Sequence, residues 1–284
     1  MDSSTELTLP APAKLNLFLH IVGRRNDGYH ELETLFQFLS ISDELHFTLT
    51  NDGTISLTSG LTEVTTDDNL VYRAALLLLP HRQDTSLGVQ ITLDKKIPMG
   101  GGLGGGSSDA ATTLLALNRL WQLNLTPQQL ADIGLQLGAD VPVFLFGRAA
   151  LAQGIGENLY PAQPKESWYL VINPGVHVST ADIFQHPDLP RDSSRIKRQA
   201  RHWLMYRNDC QQLVSTLYPP VAKALQWLLE YAPTRMTGTG ACVFGCFENQ
   251  AAAQKALAEL PAEFSGFVAQ GLNTSPAWQA LHTG

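Results

Sequence analysis

The segment Pro98-Met-Gly-Gly-Gly-Leu-Gly-Gly-Gly-Ser-Ser108 places six glycines in seven positions, and few folds can use such a stretch. Its neighbours narrow the choice. Upstream, Val89, Ile91 and Leu93 alternate with Gln90, Thr92 and Asp94, the pattern of a half-exposed strand. Downstream, Asp109 to Trp121 reads as a helix. A strand that runs through glycines directly into a helix is no flexible linker. Without Cβ atoms the backbone can adopt positive φ and turn several N–H groups toward one anion, and the following helix adds its positive end. The segment is therefore read as a phosphate cradle.

Two familiar phosphate motifs fit poorly. Gly100-x-Gly102-x-x-Gly105 matches the dinucleotide fingerprint, but that unit needs a fully buried strand before it and an acidic residue about 20 positions later. Leu120-Trp-Gln-Leu-Asn-Leu125 stands there instead. A Walker loop requires lysine where this chain has Gly106. The cation that meets the phosphates must come from elsewhere in the sequence.

The first third reads as strands at Leu7 to Leu9, Lys14 to Val22, Glu31 to Leu39, Leu45 to Thr50 and Thr54 to Thr58, the last two forming a hairpin about Asn51-Asp52-Gly53. Asp68 or Asn69 caps a helix that carries Leu70, Val71, Ala74, Ala75, Leu78 and Leu79 at helical spacing. Thr126-Pro-Gln-Gln129 opens another with a capping box, and Gly138 ends it, leaving Asp140 just beyond a helix end. The polar, proline-bearing stretch Ala162 to Ser167 marks a boundary between domains 1–162 and 163–284. Beyond it, strands at 168–172, 242–247 and 267–272 alternate with helices at 209–217, 221–231 and 251–260, an α+β order.

A formal charge of -7 supplies no general field for nucleic acid or an anionic membrane, so a polyanionic ligand must be held locally. The basic stretch Arg191 to Arg201 is interspersed with Asp, Ser and Gln and reads as a solvated segment. Cys210, Cys242 and Cys246 are too few for a disulfide framework, which points to a reducing cytoplasm; the last two lie in the apolar string Ala241 to Phe247 with no partner set for zinc. Met1 to Glu6 lacks the pattern of a secretory signal, and the longest apolar run, Ala74 to Pro80, is far short of the roughly 20 residues of a membrane span.

With Pro12-Ala-Lys-Leu-Asn-Leu17 before the glycine loop and Thr237-Gly-Thr-Gly-Ala-Cys242 near the end, three motifs stand in an order that resembles the galactokinase, homoserine kinase, mevalonate kinase and phosphomevalonate kinase superfamily. Gly23-Arg-Arg-Asn-Asp-Gly-Tyr-His30, Thr34-Leu-Phe-Gln37, Gly138-Ala-Asp-Val-Pro142 and Gly154-Ile-Gly-Glu157 resemble the branch that phosphorylates the 2-hydroxyl of 4-diphosphocytidyl-2-C-methyl-D-erythritol. The resemblance implies an α+β fold with a nucleotide-binding domain at 1–162 and an α/β-plait-like substrate domain at 163–284. It implies ATP and Mg²⁺ as cofactors, a small cytidine diphosphate acceptor as partner, and compatibility with a homodimer.

The same resemblance assigns roles. Asp140 takes the proton of the attacking hydroxyl or orients it, and Lys14 keeps Asp140 ionised beside the developing alkoxide. Pro98, Met99, Gly100, Gly101, Gly102, Leu103, Gly104, Gly105, Gly106, Ser107 and Ser108 hold ATP, with Ser107 or Ser108 near the metal and Asn69 and Lys95 as further nucleotide contacts. Gly238, Thr239 and Gly240 close over the transferred group. Tyr29, Phe36 and Phe184 offer aromatic faces to cytosine, His30 meets its edge, and Asn16 and Thr180 complete the acceptor site. Rival readings are a kinase for mevalonate or homoserine and a nucleotide sensor without catalysis. Gly28-Tyr29-His30 speaks against the first, and the presence of both Lys14 and Asp140 against the second.

Overall fold

The computed structural model describes residues 5–26, 28–60, 64–196 and 203–282. Asp27, residues 1–4 and the 197–201 part of the basic stretch lie outside the described residues. The spine is an antiparallel pair, β1 (Glu6–Arg24) and β2 (His30–Thr50), with register breaks between Pro12 and Lys14, Asn16 and Leu19, and Ile21 and Gly23. Each strand is continuous where the sequence reading cut it in two. The cuts fell at Pro12 and around Asp43, residues that ordinarily end strands. Pro12 sits at a register break, where no ladder donor is required of it. Asp43 is fully buried and accepts the backbone N–H groups of Lys96 and Ile97.

The expected hairpin does not form. β3 (Ile55–Ser59) pairs in parallel with β4 (Gly88–Asp94), and β4 pairs antiparallel with β2, so β4 lies between the two strands. The turn chemistry was sound: Asp52 Oδ1 accepts from the Thr50 hydroxyl and the Thr54 N–H. The strands nevertheless part, because Gly53 N–H donates to Ser86 O and Val89 N–H to Thr54 O, which brings β4 into the gap. α1 (Leu70–Leu78) links β3 to β4 and is capped by Asn69, whose Oδ1 accepts from Val71 N–H at 2.9 Å.

α2 (Gly105–Leu120) starts four residues before the expected Asp109. Gly104, at φ 72°, turns the chain into it, so Gly105, Gly106, Ser107 and Ser108 form its first turn. α1 and α2 bury Ala74, Leu78, Ala110, Leu114 and Leu117 against Leu9, Phe38 and Phe47 of the sheet. Each such large apolar side chain contributes on the order of 1.5–3 kcal/mol, which fixes the glycine loop to a rigid base. α3 (Pro127–Leu135) carries the expected capping box. α4 (Val141–Phe146), too short to show periodicity, follows at once and ends at Gly147, φ 71°.

β5 (Ala150–Gly154) and β6 (Asn158–Pro161) extend β2. The remaining elements are β7 (Trp168–Asn173), α5 (Thr180–Gln185), α6 (Gln211–Leu217), α7 (Pro219–Leu229), β8 (Thr234–Met236), β9 (Val243–Phe247), α8 (Gln250–Ala258), β10 (Ser265–Leu272) and α9 (Pro276–His282). The sheet order is β3-β4-β2-β10-β7-β9-β8. β10 joins β7 to β2 through Gly271 and Leu272, so one sheet of ten strands passes through both halves. Tyr169, fully buried, reinforces the seam by donating its hydroxyl to Gln37 Oε1 at 2.8 Å. The fold is α+β. Among the described residues no helix is long and apolar enough to cross a membrane, and no group of three His, Cys, Asp or Glu could hold a metal ion.

Candidate active site

Lys14 leaves β1 just past its first register break and is 2% exposed. A lysine so buried needs a partner for each proton. Lys14 Nζ has three: Asn16 Oδ1 at 2.5 Å, Gly102 O at 3.0 Å and Asp140 Oδ2 at 3.2 Å. Phe36, itself 2% exposed, lies beneath the ammonium with its ring centre 5.4 Å away. Asp140 occupies the position before α4 without capping it, and its carboxylate faces Lys14 instead.

Gly100, Gly102 and Gly104 have φ of 68°, 74° and 72°, the left-handed region expected of the loop. The closest approach is at Gly102, where a Cβ would lie 2.4 Å from Thr237 O. That contact brings the three motifs together. Thr237 Oγ1 donates to Gly102 O and accepts from Asn16 N–H, while Cys242 N–H donates to Gly101 O. The N–H groups of Gly105, Gly106 and Ser107 precede the first helical hydrogen bond, from Ser108 N–H to Gly104 O.

Two cavities meet at this point. One, of about 390 Å³, is lined by Lys14, Asn16, Tyr29, His30, Phe36, Thr180, Phe184, Gly238 and Thr239. The other, of about 410 Å³, is lined by Asn69, Lys95, Pro98 to Ser107 and Asp109. Gly102, Ser107 and Asp140 line both. A small molecule in each would have its reactive end at Asp140.

Three residues sit differently from the sequence reading. Ser108 is fully buried with its hydroxyl out of reach of either cavity, so of the two serines only Ser107 faces a ligand. Helical spacing turns neighbouring side chains about 100° apart, and the second serine falls on the core face. Gly240 lines neither cavity; its carbonyl abuts the loop at Gly102. Phe36 lines the first cavity but is 2% exposed and lies beneath Lys14, so little of its ring is open, whereas Tyr29 is 60% exposed.

The first cavity joins distant segments. His30 stacks on Phe184 at 5.2 Å and 27°, and the Thr180 and Thr239 hydroxyls lie 2.8 Å apart. Burial, and secondly the nearby Arg191 guanidinium, lower the His30 pKa below its usual value. Arg191 donates Nε–H to His30 Nε2 at 2.9 Å. This arginine belongs to the stretch that its polar neighbours mark as solvated, yet its guanidinium is held by His30 and the carbonyl of Phe184.

Lys95 is held between two buried carboxylates, Asp43 and Asp109, the second at 2.7 Å. In the sequence Asp109 reads only as the start of a helix. Burial pushes its pKa up to about 7, Lys95 opposes that rise and Asp43 adds to it. Asn69 spends its side-chain carbonyl on capping α1. Asn69 also lines the second cavity.

Residues 69–148 match the model of the GHMP kinases N terminal domain, and residues 192–266 that of the GHMP kinases C terminal domain. A 4-diphosphocytidyl-2-C-methyl-D-erythritol kinase of Shewanella woodyi is 59% identical over 277 residues, 97% of both chains. One of Shewanella baltica is 58% identical over 279 residues, again 97% of both. A crystal structure of 4-(cytidine 5'-diphospho)-2C-methyl-D-erythritol kinase superposes with a TM-score of 0.79 at 35% identity, covering 93% of this chain and 99% of that one. A mevalonate kinase, 16% identical with a TM-score of 0.69 over 94% of this chain and 99% of its own, shares the fold. With its three motifs drawn together around Lys14 and Asp140 and this identity sustained over nearly its whole length, the chain belongs to the 4-diphosphocytidyl-2-C-methyl-D-erythritol kinase family of the GHMP kinases, and is a small-molecule phosphotransferase.

Proposed function

We propose that this protein transfers the γ-phosphoryl group of ATP to the 2-hydroxyl of 4-diphosphocytidyl-2-C-methyl-D-erythritol, releasing ADP, in the non-mevalonate route to isoprenoid precursors. The observation that carries the reading is the meeting of two cavities at Gly102, Ser107 and Asp140. The acceptor enters the first cavity, its cytosine against Tyr29 and Phe184 with His30 at the base edge, and its hydroxyl reaches Asp140. ATP enters the second, its phosphates on the backbone N–H groups of the loop and the first turn of α2.

Asp140 orients the hydroxyl and receives its proton as the O–P bond forms and the bond to ADP breaks. Lys14 pairs with Asp140 and lies beside the oxygen where negative charge grows. Mg²⁺ bound to the ATP phosphates would neutralise charge on the transferred group. Its fit here rests on the Ser107 hydroxyl, which faces both cavities at a helix N-terminus. In this reading residues 1–162 bind nucleotide and residues 163–284 the acceptor, with Asn16 of β1, Tyr29 of the turn after it and His30 at the start of β2 lent to the acceptor side. The reaction belongs in the cytoplasm, whose reducing conditions suit the three unpaired cysteines Cys210, Cys242 and Cys246.

The test is ADP release by the purified protein with Mg-ATP and a panel of acceptors: the cytidine diphosphate compound, free methylerythritol, mevalonate and homoserine. The first should have by far the highest kcat/KM. A higher value for mevalonate or homoserine would overturn the assignment.

A further inference from the structure

Arg191 lines neither cavity, yet every N–H of its guanidinium has an acceptor. Nε donates to His30 Nε2 at 2.9 Å. One terminal nitrogen donates to Leu189 O at 2.9 Å and Pro187 O at 3.5 Å, the other to His186 O at 2.8 Å and Phe184 O at 3.0 Å. An arginine has no acceptor and keeps its proton in proteins. His30 Nε2 must therefore be the unprotonated ring nitrogen, and the ring proton is forced onto Nδ1. Both partners of the stacked pair answer to one group, since Arg191 holds the His30 ring on one side and the Phe184 backbone on the other.

We propose that Arg191 is a positioning residue for base selection, locking His30 in its Nδ1-protonated tautomer so that the acceptor cavity offers an N–H donor to the unprotonated N3 of cytosine and opposes the N3–H of uracil. The base-selection half rests on the cytidine reading above; the tautomer half stands on geometry alone. A second N–H on the ring would cost a positive charge beside the guanidinium, so His30 cannot adapt by taking up a proton. Lysine, a point charge with three protons, can supply the bond to His30 but cannot fork across four carbonyls. The segment around Arg191 has other anchors. Ser193 donates its hydroxyl to Asp209, Ile196 N–H donates to buried Glu33, and Arg195 pairs with Glu31, so removal of the guanidinium leaves the chain tied down.

The experiment compares wild type, Arg191→Met and Arg191→Lys by ring-nitrogen NMR of His30 in the ligand-free protein, with its signals assigned by their loss in His30→Asn. Kinetics with the cytidine acceptor and its uridine analogue follow. Wild type should show Nδ1–H and a bare Nε2. In Arg191→Met the Nε2–H form should appear, acceptor KM should rise about tenfold or more, and the preference for cytidine over uridine in kcat/KM should fall by about tenfold to a hundredfold. Turnover at saturating acceptor and KM for ATP should stay within about twofold, a split that general loosening would not give. Arg191→Lys should recover much of the tautomer and part of the preference. In a His30→Ala background Arg191→Met should add little. An unchanged tautomer in Arg191→Met, or an unchanged base preference beside a raised KM, overturns the proposal. A wild-type protein that is locked in the tautomer yet ignores cytidine acceptors would overturn the substrate reading and the base-selection role with it, leaving only the lock.

Discussion

Lys14 Nζ and Asp140 Oδ2 stand 3.2 Å apart, with Lys14 side-chain exposure of 2% against 37% for Asp140. The cation is sealed on the protein side while the carboxylate opens onto both cavities. In the proposed reading Asp140 meets the acceptor and Lys14 anchors that carboxylate from the protein side. Asp140→Asn keeps the shape and leaves Lys14 two acceptors, so folding should survive. Turnover should fall by about 10² to 10⁴, with both substrate affinities little changed. Lys14→Met should also lower turnover, and the double variant should be hardly worse than the worse single one if the two act as a unit. Wild-type kcat in a folded, ligand-binding Asp140→Asn would remove both roles.

The glycine loop offers a finer test, because its glycines are required for different reasons. A Cβ on Gly102 would lie 2.4 Å from the Thr237 carbonyl, a backbone atom with little room to yield. Gly102→Ala should therefore destabilise the fold itself, by about 1–3 kcal/mol or more, read by denaturant titration. At Gly104 the added atom would meet side chains, Lys14 Cε and Phe144 Cζ, each at 3.0 Å. Gly104→Val should weaken ATP binding and, by displacing Lys14, lower turnover at saturating ATP, while cytidine-acceptor affinity stays near wild type. Equal loss of affinity for both ligands would mean that the loop is only a structural element.

What could be read from the sequence was what local chemistry dictates. The glycine loop, the capping box at Thr126 and the strand at Val89 each declare themselves within a few residues. Lys14 and Asp140 drew notice through the motifs that hold them, although 126 positions separate them and no local rule brings them together. The misreadings share a cause. Asn51-Asp52-Gly53 makes its turn as chemistry requires, but whether another strand enters the gap depends on Ser86 and Val89, far along the chain. Arg191 looks solvated among polar neighbours because its acceptors are backbone carbonyls and a distant histidine, which composition does not show. Asp109 reads as a helix residue until Lys95 and Asp43 are placed against it.

Acceptor recognition should depend on the nucleotide end of the acceptor. His30, Phe184 and Tyr29 line the same cavity as Asp140; in the proposed reading they hold the cytosine, which is remote from the reacting hydroxyl. Remote binding energy positions the reactive group, and removing the whole cytidine diphosphate end, rather than one base contact, lowers kcat/KM. Free methylerythritol should show a kcat/KM lower by about 10³ or more than the cytidine diphosphate compound. Comparable values in a competition assay would make the aromatic wall irrelevant to catalysis.

The Lys95 cluster makes a prediction about stability and pH. Asp43 and Asp109 share one ammonium, so with both ionised the buried group carries an excess negative charge. Asp43 also receives two backbone N–H groups, whereas Asp109 Oδ1 has no hydrogen-bond partner among the described residues. Asp109 is thus the member that takes up a proton, and burial raises its pKa to about 7 from the 3.8 of an unfolded chain. The raised value fixes the sign. Between those pH values the folded state binds a proton that the unfolded state has released, so the stability from this group is full below about pH 4 and is lost as pH rises toward 7. Asp109→Asn keeps the shape and removes the titration. The variant should gain on wild type as pH rises through that window and be equal or more stable at pH 8. Lys95→Met, by contrast, strands buried carboxylates and should cost about 3–5 kcal/mol at neutral pH. Urea titrations of the three proteins across pH 5 to 8 decide it, and parallel curves for wild type and Asp109→Asn would show that Asp109 is ionised throughout.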